Sequence, residues 1–170
     1  MRIELRILHG DAAALQLARD GFAAFGLRQR ERDKRDGRWF AVQVPETKLN
    51  DALHVLQAIS ELQLSRAQMA GKEPRLYESG IRYQREPHGR EWWQTAIDNL
   101  MEGEGDCEDL ASHRAAELNV YEGEPARTIA IRTGRRAFHA VVLRGDGETI
   151  EDPSLALGMT APTRRRRFGR

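Results

Sequence analysis

Three residues able to carry covalent chemistry stand in the order Cys, His, Asp in the second half of the chain: Cys107, His139 and Asp152. A thiol can attack a carbonyl, an imidazole can take and return its proton, and a carboxylate can hold the imidazole in one orientation. Cys107 is the only cysteine and lies in Gly105-Asp106-Cys107-Glu108-Asp109-Leu110-Ala111. Asp106 is suited to cap a helix, and Asp109 three residues on can answer it as in a capping box, so a helix is expected to start at Cys107. The positive end of its dipole favours thiolate, while Glu108 and Asp109 oppose it. Cys107, Ala111, Ala115 and Leu118 fall on one helical stripe, which puts the sulfur on the packed side. Taken alone, a single cysteine there is more often a small core residue.

The partners come from two strands. Ala137-Phe138-His139-Ala140-Val141-Val142-Leu143 is apolar on both parities, as in an interior strand, with His139 on the face of Val141 and Leu143. A lone histidine there also reads as a satisfied core residue. Asp146-Gly147 predicts a two-residue hairpin into Glu148-Thr149-Ile150-Glu151-Asp152, stopped by Pro153. Gly145 then opposes Glu148 and Asp152 opposes Val141, diagonal to His139 and on its face. A three-residue loop without a bulge would turn Asp152 to the far face.

These motifs, continued by Pro153-Ser154 and Gly158-Met159, resemble the transglutaminase-like superfamily, which includes bacterial and bacteriophage cysteine-protease-like members. The likeness runs from Pro74 to Pro162 and rests on three short motifs in the right order. It implies a papain-like fold with Cys107 as nucleophile, His139 as general base and later acid, and Asp152 as the group that holds the histidine. No residue matches a family oxyanion position. The backbone N–H of Cys107 is one candidate donor, and the side chains of Gln84, Trp92, Trp93 and Gln94 are others. Thiolate attack on an amide gives a thioester. Release by water makes a peptidase or amidase, and release by an amine makes a cross-linker, with hydrolysis the closer likeness to small bacterial and phage relatives. The chemistry needs neither cofactor nor metal. The implied partners are a protein or peptide substrate, a second copy or phage structural proteins, and the implied location is the bacterial cytoplasm or a virion. A competing reading is an assembly protein on an inactivated fold. A metal site from Cys107, His139 and Asp152, with His113 near in sequence, lacks paired ligand spacing.

The whole reads as α+β, with a papain/transglutaminase-like core over 74–162, a small α/β module over 1–70 and a basic tail over 163–170. At 170 residues the chain can bury a real core. The net charge of +1 argues against the whole chain as a nucleic-acid binder. Arg164, Arg165, Arg166, Arg167 and Arg170 crowd the end, and without those five charges the rest carries −4. The tail is thus a separate electrostatic object, able to meet nucleic acid through phosphates. A single cysteine suits a reducing compartment, and no run reaches membrane-spanning length, so a soluble intracellular protein is expected.

In the module, Arg2–His9 alternates as a strand, Asp11 caps a helix closed by Gly26, and Arg28–Arg38 is a charged loop or hairpin arm. Trp39–Val44 reads as a strand, and Thr47 or Asn50 can cap a long helix that keeps Leu49, Leu53, Leu56, Ile59 and Leu62 on an apolar face and runs to about Met69. This part carries no catalytic constellation, and docking or dimerisation is its expected use. Gly71-Lys72-Glu73-Pro74 marks the expected boundary. A helix is then expected over Arg90–Glu102, with Trp93, Ile97 and Leu100 on one side and Gly103 as its stop. Ala126–Arg132 completes a sheet of at least three antiparallel strands, which the cysteine helix covers.

Overall fold

The structure, a computed structural model, describes residues 1–87, 91–134 and 137–160. It is an α+β protein with antiparallel and parallel strand pairs. In β1 (Arg2–Ile7) alternate residues Ile3, Leu5 and Ile7 are buried, as a half-covered strand requires. Asp11 accepts from the Ala14 N–H at 3.1 Å and starts α1 (Ala12–Ala24), which buries Ala14, Ala18 and Phe22. The charged Arg28–Arg38 stretch is the hairpin arm and not a loop, formed by β2 (Arg28–Lys34) and the start of β3 (Gly37–Gln43). β3 lies between β1 and β2 and runs antiparallel to both, a split β-α-β arrangement, and α2 (Leu49–Met69) follows it.

Beyond Gly71–Pro74 come β4 (Arg82–Tyr83), β5 (Trp92–Trp93), α3 (Ala96–Glu102), β6 (Glu104–Gly105) and α4 (Cys107–Glu117). A π-helical turn over Leu118–Glu122 extends α4. β7 (Ala126–Arg132), β8 (Phe138–Arg144), β9 (Ile150–Glu151) and α5 (Pro153–Ala156) complete the described chain. β4 and β6 form a parallel pair of their own, and the three-stranded sheet has the order β7-β8-β9, all antiparallel, with β8 in the middle as its apolar character implies.

One expected element is corrected. The helix placed over Arg90–Glu102 begins only at Ala96, because Thr95 and Asp98 form a capping box there. Trp92 and Trp93 instead pair in parallel with Glu4 and Leu5 of β1. The spacing of Trp93, Ile97 and Leu100 imitates a helical stripe, but Trp93 is buried from a strand. Gly103 does end α3, in the left-handed region at φ +73°.

A single apolar cluster holds Ile3, Leu5, Phe40, Leu53, Trp93, Ala111, Ala115, Leu118, Ala140 and Val142 together. The core therefore passes across Gly71–Pro74 without a break. Arg6 adds a buried polar tie, donating to Asp98 Oδ1 from Nε at 3.0 Å and from Nη2 at 2.6 Å. Among the described residues, no helix is long and apolar enough to cross a membrane. The basic tail over 163–170 lies outside the described residues.

Candidate active site

The start of α4 is pinned by Asp109, which is fully buried. Its Oδ2 accepts from the Asp106 N–H at 3.1 Å, which is the expected return half of the capping box. Its Oδ1 accepts from the Gln94 N–H at 2.7 Å, tying the helix to the segment between β5 and α3. A Cβ at Gly105 would come within 2.9 Å of Asn99 Oδ1 and 3.1 Å of Asp109 Cβ, so only glycine fits before the cap. Cys107 is half-buried in the first turn and packs against the apolar cluster to which Ala111, Ala115 and Leu118 belong, on the stripe expected for it.

The electrostatics of the thiol differ from the expected pull of the helix dipole. Burial pushes the Cys107 thiol well above its ordinary value, and the carboxylates of Glu108 and Asp106 push the same way. The Ala140 N–H, facing the sulfur, opposes them. That N–H is available for a topological reason. Arg144 donates to Thr149 O at 2.9 Å, and Val142 lies opposite Glu151, so even-numbered residues of β8 aim their main-chain groups at β9. β9 ends at Glu151, leaving Ala140 to face the cysteine. The thiol itself donates to Glu108 Oε2 at 3.1 Å.

His139 and Asp152 are brought together as expected, with Nε2 and Oδ2 2.7 Å apart. Val142 pairs with Glu151 and Leu143 with Ile150, the predicted register, so Asp152 comes diagonal to His139. The connection is wider than a two-residue turn. Gly147 donates to Arg144 O at 2.9 Å, and Asp146 Oδ1 accepts from the N–H groups of Glu148 and Thr149, so the loop is longer while its register is unchanged. Because Nε2 is engaged by an acceptor, Nδ1 is the nitrogen left to exchange a proton with a thiol. Among the described residues no hydrogen bond joins Cys107 to His139.

Asp152 is held from both sides. Its Oδ1 accepts from the Leu155 N–H at 3.2 Å and caps α5, with Pro153 in the first helical position. Glu151 anchors the strand that carries it, accepting from Tyr77 Oη at 2.6 Å, Arg114 Nε at 2.8 Å and Arg144 Nη1 at 2.6 Å. These groups give the short β9 a fixed place against α4.

Several residues near the thiol were not visible as site residues in the sequence. Tyr83 is half-buried, and its phenol is pushed up by burial and by the charges of Cys107 and Asp106. Glu91 is pushed up by burial and by Glu108. Glu86 accepts from the Trp92 N–H at 2.8 Å with both carboxylate oxygens. Of the candidate oxyanion donors, Gln84 lies closest to the helix start by chain pairing, its N–H meeting Gly105 O at 2.9 Å, but its exposed side chain turns to Arg85 O. Trp93 is sealed in the core, and Trp92 packs against Trp39 at 5.6 Å.

Among the described residues, the one group close enough to share a cation is Asp106, Cys107 and Glu108, with donor atoms within 4.8 Å of one another. His113 is fully buried, and neither of its ring nitrogens has a hydrogen-bond partner among the described residues. No family model matches the chain, no curated protein matches it, and no solved structure matches it. The transglutaminase-like resemblance thus rests on the motifs around Cys107, His139 and Asp152.

Proposed function

We propose that this chain carries out thiol-dependent acyl transfer on an amide, with hydrolysis as the outcome, through Cys107, His139 and Asp152. The observation that carries the reading is the 2.7 Å contact between His139 Nε2 and Asp152 Oδ2, on a strand whose next residue, Ala140, faces the Cys107 thiol. Nε2–H donates to the carboxylate and leaves the Nδ1 lone pair as base. The raised thiol is neutral at rest, so His139 must take its proton as the sulfur attacks the carbonyl. Catalytic hydrogen bonds are often loose before substrate binds, and this mechanism requires His139 Nδ1 to close on the sulfur in the complex. The imidazolium then protonates the leaving amine, a thioester forms, and water activated by His139 releases the acid. A protein or peptide is the substrate class that fits.

The test is the rate of Cys107 alkylation by iodoacetamide between pH 5 and 9, in the wild type and in His139→Ala. Because the thiol is neutral at rest, labelling at pH 7–8 that the substitution slows at least tenfold supports a Cys-His pair, with His139 as the base. An ordinary thiol profile, identical in both proteins, overturns the catalytic reading.

One observation favours a second reading. The thiol is bonded to Glu108 and pushed up by burial and by the neighbouring acids, which is the environment of a resting and not an activated nucleophile. An assembly protein on an inactivated fold would show that, and the same labelling profile separates the two.

A further inference from the structure

The first sheet has a face that the acyl-transfer reading leaves unused. Cross-strand partners share a face, so the register places Arg28, Gln43 and Arg2 in one row, Arg30, Ala41 and Glu4 in the next, and Arg32, Trp39 and Arg6 in a third. Lys34 lies beyond them opposite Gly37, and Trp92 sits beside Glu4. The opposite face carries Phe40, Val42, Ile3 and Leu5 into the core, so this one looks outward.

The two-residue period of β2 sorts its charges by sign. Glu31 and Asp33 lie on the inner face, where Glu31 accepts from Arg19 at 2.7 and 2.8 Å. Arg28, Arg30, Arg32 and Lys34 all lie on the outer face and are exposed. Their main chains pair with β3, but the side chains of Arg28, Arg30 and Arg32 make no ion pair and no hydrogen bond among the described residues. Beside them Trp39 and Trp92 pack with ring centroids 5.6 Å apart, and Lys34 Nζ stands 3.7 Å from the Trp39 centroid. α3 closes the far side of the face, where Arg6 is bound to Asp98 and Glu102.

We propose that this outer face of β2 and β3 binds single-stranded nucleic acid. Alternate residues of a strand are about 6.7 Å apart, so Arg28, Arg30 and Arg32 form a straight ladder of cations. An extended polynucleotide spaces its phosphates on the same scale and can lie along it. Its bases then reach inward over Ala41 to Trp39, where a base displaces the exposed lysine and stacks on the ring. An acidic peptide lacks the flat rings that this aromatic floor would receive, and its favoured docking is along the edge of β2 and not across the face. The site is independent of Cys107.

The experiment is fluorescence anisotropy of a labelled oligodeoxythymidylate of about 15 nucleotides with the full chain, across a salt series, with tryptophan emission followed in parallel. The wild type is expected to bind with a steep salt dependence and to lose tryptophan emission. Arg28→Gln/Arg30→Gln/Arg32→Gln is expected to weaken binding at least tenfold at low salt and to lower the log-log salt slope by about 2, at about 0.7 per lost phosphate contact. Trp39→Ala is expected to weaken binding without changing the slope. Arg164→Gln/Arg165→Gln/Arg166→Gln/Arg167→Gln separates the tail, and the hairpin effect must persist in that background. Circular dichroism confirms that each variant is folded. Unchanged affinity in the folded hairpin variant overturns the proposal. So does equal displacement of the oligonucleotide by polyglutamate with no tryptophan signal, which would assign the face to an acidic protein.

Discussion

The thiol of Cys107 donates to the carboxylate of its own neighbour, Glu108, 3.1 Å away. The bond stabilises the neutral thiol, and the charge next to it disfavours thiolate. Glu108→Gln removes the charge and keeps the shape. The midpoint of iodoacetamide labelling is expected to fall by about one pH unit, equivalent to about 1.4 kcal/mol. A midpoint that stays or rises would show that Glu108 does not control the thiol.

Asp152 has two jobs that two substitutions separate. Asp152→Asn keeps an amide able to cap α5 and removes the charge that orients the His139 ring, so labelling and any amidase rate are expected to drop with little loss of stability. Asp152→Ala loses the cap as well, at about 1 kcal/mol. Thermal unfolding alongside labelling distinguishes them, and equal loss of stability in both would remove the capping role.

His113 is sealed in α4, and burial pushes its pKa down to about 3. The unfolded chain takes up a proton near 6.5, whereas the folded chain does not until about 3. Stability is therefore lost as pH falls through that window, at up to about 1.4 kcal/mol per pH unit. His113→Leu is expected to flatten this acid limb in urea unfolding between pH 7 and 4. An unchanged slope would place the sensitivity elsewhere.

Asp106 acts in the opposite sense. Burial and the neighbouring Asp109 and Glu108 raise its carboxyl, so its contribution to stability is present at low pH and lost as pH rises above about 3.8. Its Oδ1 is buried without a hydrogen-bond partner among the described residues. Asparagine caps equally well and carries no charge, so Asp106→Asn is expected to stabilise at neutral pH by about 1 kcal/mol, or about 2–4 °C in Tm, and to change little near pH 4. A destabilised variant at pH 7.5 would contradict this.

Arg6 reaches Asp98 from the first strand, and Asp98 is only 1% exposed. Arg6→Ala strands a buried carboxylate and is expected to cost about 3–5 kcal/mol. Because one core spans both halves of the chain, calorimetry is expected to show a single transition at lower temperature. Two separated transitions would show that the halves fold independently.

The parts of the site that follow from local rules were legible in the sequence. Asp106 and Asp109 announce the start of α4, and the alternation of side chains along β8 and β9 carries Asp152 to His139 even though the loop is longer than a two-residue turn, since the longer loop preserves the pairing. What could not be read depends on distant neighbours. Trp92 and Trp93 became a strand because β1, nearly ninety positions earlier, offered a parallel partner. The upward push on Cys107 comes from burial that no local pattern states. β2 looked like an undifferentiated charged stretch because its two signs separate only when every second residue is taken together.

β9 is two residues long, too short for its main-chain bonds alone to locate the acid that follows it. Its place is set by Glu151, gripped by Arg114, which sits two turns after Cys107 on the same helix. The proposed nucleophile and the clasp on the acid thus share one rigid rod. If α4 slides or tilts as the molecule breathes, sulfur and carboxylate travel as a unit, and the freedom that remains belongs to the imidazole between them.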